Sequence, residues 1–183
     1  VPCRGRINWK SSLVLGLGEI IAAGSMGKIA GSAVVLLGDI SIAGTLAGID
    51  LAGVSGDQST LSIGLPENTK QAVRIKLGQV SDLSIDTQTP IKDLSVWAWI
   101  DGNDTIDLIA GPSMDKLTVK GDIGASIRLT GANVPANKSA LGSAKISGDI
   151  LAGSCWDVQA GNVGSLTVGG TVRQSVIRTA ANI

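Results

Sequence analysis

The residues best suited to chemistry in this chain fall within one short stretch. Trp97 and Trp99 flank Ala98, Asp101 and Asp104 follow, and Asp107 comes next. An indole combines a broad apolar face with one N–H donor, so two exposed indoles beside acidic oxygens form a platform for a sugar ring or a partner surface. Trp97, Trp99, Asp101 and Asp104 are therefore the candidate binding residues. Alternation continued from Leu94 and Val96 places Ala98 and Ile100 inward and Ser95, Trp97 and Trp99 outward, with the indoles about 7 Å apart along the strand. A frame slip at the corner, or a loop such as 133–139 folded over the rings, would bury them instead.

The carboxylates admit three readings. Glycoside hydrolases place two of them on either side of the scissile bond, and Asp86 and Asp93 lie one repeat or less from Asp101, Asp104 and Asp107. Calcium takes several carboxylate and carbonyl oxygens, but the spacing here matches no known loop. Asp101-Gly102-Asn103-Asp104 is also ordinary turn chemistry between two strands, and that is the expectation. No catalytic residue, metal ligand or cofactor is assigned. The chain has no histidine, which excludes Ser-His-Asp and Cys-His mechanisms and His-ligated metals.

These residues sit on a repeat. Apolar-x-apolar triplets return about every 22 residues in two interleaved ladders. The first runs through Ile49-Asp50-Leu51, Val73-Arg74-Ile75, Leu94-Ser95-Val96, Leu117-Thr118-Val119, Ala144-Lys145-Ile146 and Leu166-Thr167-Val168. The second runs through Ile40-Ser41-Ile42, Leu61-Ser62-Ile63, Leu83-Ser84-Ile85, Ile106-Asp107-Leu108, Ile127-Arg128-Leu129 and Trp156-Asp157-Val158. A third, shorter element follows the first ladder as Gly121-Asp122-Ile123, Gly148-Asp149-Ile150 and Gly170-Thr171-Val172, with Gly38-Asp39-Ile40 as an earlier copy. Period-two alternation turns the apolar pair of each triplet inward and its polar middle residue outward. The expectation is an all-β chain: one single-stranded parallel β-helix solenoid over 1–183, right-handed, with three short strands per coil and about eight coils. An antiparallel sandwich also alternates, but nothing in it requires one triplet to return in phase so often.

Composition fits a narrow aliphatic core. Glycine makes up 25 of 183 residues and Phe and Tyr are absent. Gly38, Gly78, Gly121, Gly148 and Gly170 fall between strands, where tight bends favour backbone angles closed to other residues. The 15 basic and 15 acidic residues balance, and no basic run is long enough to make nucleic acid a partner. Leu13 to Ala23, the most apolar stretch, is too short to span a bilayer and carries Glu19, so no membrane insertion is expected. Cys3 and Cys155 stand nearly the whole chain apart and are expected as two free thiols. Residues 1–12 hold no ladder triplet and read as an N-terminal cap or a leftover segment. Residues 174–183 read as an incomplete coil or a makeshift cap, and an open coil end would allow end-to-end self-association.

The Leu-Thr-Val followed by Gly-Asp-Ile or Gly-Thr-Val, at 117–123 and 166–172, resembles the repeat region of large secreted or surface-attached bacterial proteins that form parallel β-helices, an architecture shared with pectin-lyase-like enzymes. The likeness covers about residue 29 to the C-terminus. It implies a secreted or cell-surface location and a non-enzymatic structural or binding segment, adhesin-like, of a larger protein with a polysaccharide or protein partner. The alternative is a polysaccharide-active domain that works through carboxylates. Arg74-Ile75-Lys76 resembles a motif of polygalacturonase-type β-helix hydrolases, but the Gly-His-Gly element of that family cannot exist here. Ice binding would need an unbroken lattice of outward hydroxyls, and the charged middle residues of both ladders interrupt it.

Overall fold

A computed structural model describes residues 5–9, 13–65, 71–132, 134–135 and 137–179. Among the described residues every regular element is a strand and every strand pairing is parallel. Three columns of side chains run along the solenoid. The first ladder stacks Ile7, Ile29, Ile49, Ile75, Leu94, Leu117, Ala144 and Leu166. The third stacks Leu17, Leu36, Val54, Val80, Trp99, Ile123, Ile150 and Val172. The second stacks Ile20, Ile40, Leu61, Ile85, Ile109, Ile127, Trp156 and Ile177. Each coil visits the first, third and second ladder in turn, and the parallel β-solenoid makes about seven turns.

The inward columns form one continuous apolar core, fully buried from Ile29 to Val158. Leu117, at 0% exposure, stacks between Leu94 and Ala144. Leu117→Ala should therefore cost about 2–5 kcal/mol, while Thr118→Ala, on the outward half of the same strand, should cost under about 0.5 kcal/mol. Urea denaturation of the two variants checks this, and equal losses would contradict the observed phase of the ladder.

Three triplets sit in a different frame from the sequence expectation. Ile49 pairs with Ile75 rather than Val73, and Leu61 pairs with Ile85 rather than Leu83. Both are slips of two residues, which keep every side chain on its expected face. Ile106-Asp107-Leu108 slips by three, and an odd number of residues reverses the faces. Ile109 is the residue that pairs with Ile85 and Ile127, so Ile106 is 60% exposed and Asp107 only 3%.

The ends extend the same stack. Gly5–Trp9 pairs in parallel with Met26–Leu36, so this part of the expected cap is a ladder strand. Val176–Thr179 pairs with Cys155–Val158 and continues the second ladder. Cys155 is a free thiol, and Cys3 lies outside the described residues, as do Asn182 and Ile183.

Corner glycines serve spacing rather than backbone angle. None of Gly38, Gly78, Gly121, Gly148 and Gly170 has positive φ, a conformation that falls instead to Gly131, Gly153 and Gly161. At Gly148 a Cβ would collide with the Asp122 carboxylate and the Gly121 backbone of the preceding coil. That carboxylate is occupied. Asp122 Oδ1 accepts the Asp149 N–H at 2.8 Å, and Asp149 Oδ1 accepts the Thr171 N–H at 2.7 Å. Gly148 and Gly170 thus leave room for Asp122 and Asp149 of the coils before them, and each of those aspartates bonds the coil after its own. Asp39 makes the same bond to the Thr60 N–H at 2.8 Å, but at a different corner, so Gly38-Asp39-Ile40 belongs to the second ladder.

Candidate functional site

Trp97 and Trp99 point in opposite directions. The chain turns a corner at Trp97 and resumes as Ala98–Ile100 against Gln79–Ser81, with Trp99 over Val80 and under Ile123. The turn shifts the alternation, so Trp99 enters the third column at 0% exposure while Trp97 stays 64% exposed, its ring 5.6 Å from Lys120 Nζ. The paired indole platform is therefore absent. Trp97 is a single exposed ring with a cation over it.

Trp99 instead organises a buried acidic group. Its Nε1 donates to Asp107 Oδ2 at 2.8 Å, and the odd-numbered slip of the 106–108 triplet is what brings Asp107 inside to accept that bond. Asp82 arrives from the preceding coil with φ of 53°, and its Oδ1 accepts the Gly102 N–H at 2.7 Å. Carboxylate oxygens of Asp82, Asp101 and Asp107 all lie within 4.8 Å of one another. Asp101 Oδ1 is buried with no hydrogen-bond partner. Asp104 is exposed on the corner and stands outside this group.

Three oxygens so placed have the donor type of a hard-cation site. They also destabilise one another's charge. Burial pushes the Asp107 carboxyl up to about 6, against the indole and Leu83 amide bonds that lower it, and the charges of Asp101 and Asp82 push it further. As a glycosidase pair the group is poorly placed, because two of its three residues are buried away from any substrate. Asp82 escaped the sequence reading, although it precedes the second ladder as Asp39 does and makes the same bond to the next coil.

A second feature lies at another corner. Passing from the second ladder to the first takes two or three residues at most coils, as at 88–90 and 112–113, but nine residues at 64–72 and again at 130–138. Residues 66–70, 133 and 136 of these segments lie outside the described set. Leu65 and Ala72 on one side and Ala132 and Val134 on the other bracket a cleft of about 580 Å³ floored by Pro90, Lys92, Pro112 and Ser113. That volume falls within the range of ligand sites, and insertions in a solenoid commonly mark its binding face. Val134, Pro135, Lys138 and Ser139 of the 133–139 segment therefore border this cleft, and Trp97 stays exposed.

No family model, curated protein or solved structure matches this chain. What it can do rests on its own geometry.

Proposed function

We propose that the chain is a non-enzymatic structural and binding segment of a larger extracellular or cell-surface protein, adhesin-like, in which the solenoid holds a ligand cleft on one corner. The observation that carries this reading is the pair of nine-residue corners on an otherwise minimal coil, set three rungs apart at the same corner. Stacked rungs give the cleft a rigid floor, and rigid elements hold a binding geometry better than loops alone. The acidic group around Trp99 belongs to the rod instead, since Asp107 is bonded to the buried Trp99 and the Asp82 carboxylate is bonded to the next coil at Gly102.

Replacing 130–138 by a two-residue corner like 112–113 should remove one wall and leave the rungs intact. Loop closure depends weakly on length, so stability should change by no more than about 2 kcal/mol. Binding to immobilised surface proteins or polysaccharides, measured by surface plasmon resonance on the full chain, should be lost in that variant. Release of reducing ends from any polysaccharide in the panel would overturn the non-enzymatic reading.

A further inference from the structure

The chemistry of the corner cleft narrows what it can hold. Arg74 stands on one wall and Lys138 on the other, both exposed, and neither has an ion pair among the described residues. Lys92 on the floor is already paired with Asp115. Among the described residues the lining holds three cations and one carboxylate, a net positive charge in a chain whose charges balance. The remaining described lining mixes aliphatic residues with Gln71, Gln88, Ser113 and Ser139. Leu65 is 68% exposed, Val134 lines the opposite wall half-buried with part of its side chain on the core, and Pro90 and Pro112 lie on the floor. Among the described residues no aromatic ring lines the cleft, so neither a sugar ring nor a nucleobase finds a stacking partner on them. The walls stand three rungs apart, about 14 Å, which is wide enough for one extended chain with its side chains.

We infer that the cleft binds an acidic segment of a partner polypeptide, with Arg74 and Lys138 holding carboxylates from opposite walls while Leu65 and Val134 receive an aliphatic side chain. This rests on the binding reading above and names its partner. Exposed charge pairs contribute modest affinity but strong selection against the wrong sign, so the recognised segment is defined by charge at the walls and by an aliphatic residue between them.

A random peptide library displayed on phage, selected on the immobilised full chain, supplies the probe. Peptides carrying Asp or Glu around Leu, Ile or Val should be enriched, and a fluorescein-labelled copy of the best one should bind with an affinity that falls as salt rises. The double variant Arg74→Glu/Lys138→Glu should weaken that binding at least about 10-fold, because both walls then repel the ligand. Lys145→Glu, on the first ladder but away from the cleft, should change it less than about twofold. Both altered residues are exposed, and a thermal melt confirms that the variants fold. Enrichment of basic or uncharged peptides, no enrichment at all, or equal affinity for the double variant would overturn the inference. An acidic oligosaccharide that binds the chain and is lost with the short-corner variant, with no peptide enriched, would also overturn it while leaving the binding function standing. Loss of every ligand class would remove both.

Discussion

Trp99→Ala should cost about 3–5 kcal/mol, whereas Trp97→Ala should cost no more than about 1 kcal/mol. The two indoles are separated by a single alanine, yet one is fully buried between Val80 and Ile123 and the other is 64% exposed. Truncating Trp99 opens a cavity in a core whose side chains are held in place by paired rungs above and below, so little can collapse into the space. It also strips Asp107 of its indole donor and leaves a buried carboxyl with one partner fewer. Trp97→Ala forfeits only the contact with Lys120 and some exposed apolar area. Trp99→Phe separates the two contributions, since it keeps most of the bulk and removes the N–H, and it should fall between wild type and Trp99→Ala. Urea midpoints at constant slope give the comparison. Similar losses for Trp97→Ala and Trp99→Ala would mean that both rings are packed alike, and the corner at Trp97 would not shift the frame.

The repeat was legible because its signal is redundant. Six triplets per ladder return in phase, and an apolar pair at the Leu117-Thr118-Val119 spacing has only one stable use, to stack inward on its neighbours. The frame within a coil was less legible wherever an alternative apolar residue stood two positions away. Val73 and Ile75 both face inward, and sequence alone gives no reason to stack one rather than the other under Ile49. That ambiguity hid the first long corner, because a step counted to Val73 looks ordinary, while the step from Ile49 to Ile75 is within one residue of the step from Leu117 to Ala144.

The candidate site was legible in composition and misjudged in direction. Trp99 and Asp101 do belong to one cluster, but the corner at Trp97 and the irregular stretch 101–107 each move the alternation by an odd number of residues. A one-residue error turns an exposed platform into a buried group. Nothing local distinguishes those outcomes. What decides between them is the next coil, where Gly121-Asp122-Ile123 supplies the third-column partner that draws Trp99 inward, and the preceding coil, where Asp82 reaches across to Gly102. The cleft depends on the same kind of information. Its two walls lie far apart in sequence and meet only because the rungs between them are short.

Asp107→Asn should stabilise the protein by up to about 3 kcal/mol at pH 7.5, and the gain should vanish in acid. Asparagine keeps a side-chain oxygen for the Trp99 N–H and cannot ionise. In the wild type the Asp107 carboxyl is raised from 3.8 to about 6, so between those values the folded state binds a proton that the unfolded state has released. Stability contributed by that proton is fully present below about 3.8, falls as pH rises, and is gone above about 6, where the fold must hold a buried charge beside Asp82 and Asp101. The gap corresponds to about 3 kcal/mol. Asp149 acts in the opposite sense. The Thr171 amide, and then Arg173, hold its carboxyl below the ordinary value, so its contribution is lost as pH falls. The wild-type profile is therefore a composite, and the difference between variant and wild type, in which Asp149 cancels, isolates Asp107. That difference, from urea unfolding between pH 3.5 and 7.5, should grow with pH and level off above about 6.5. A variant less stable than wild type at pH 7.5 would show that the fold favours the charged carboxylate, and burial would not be the dominant influence on this group.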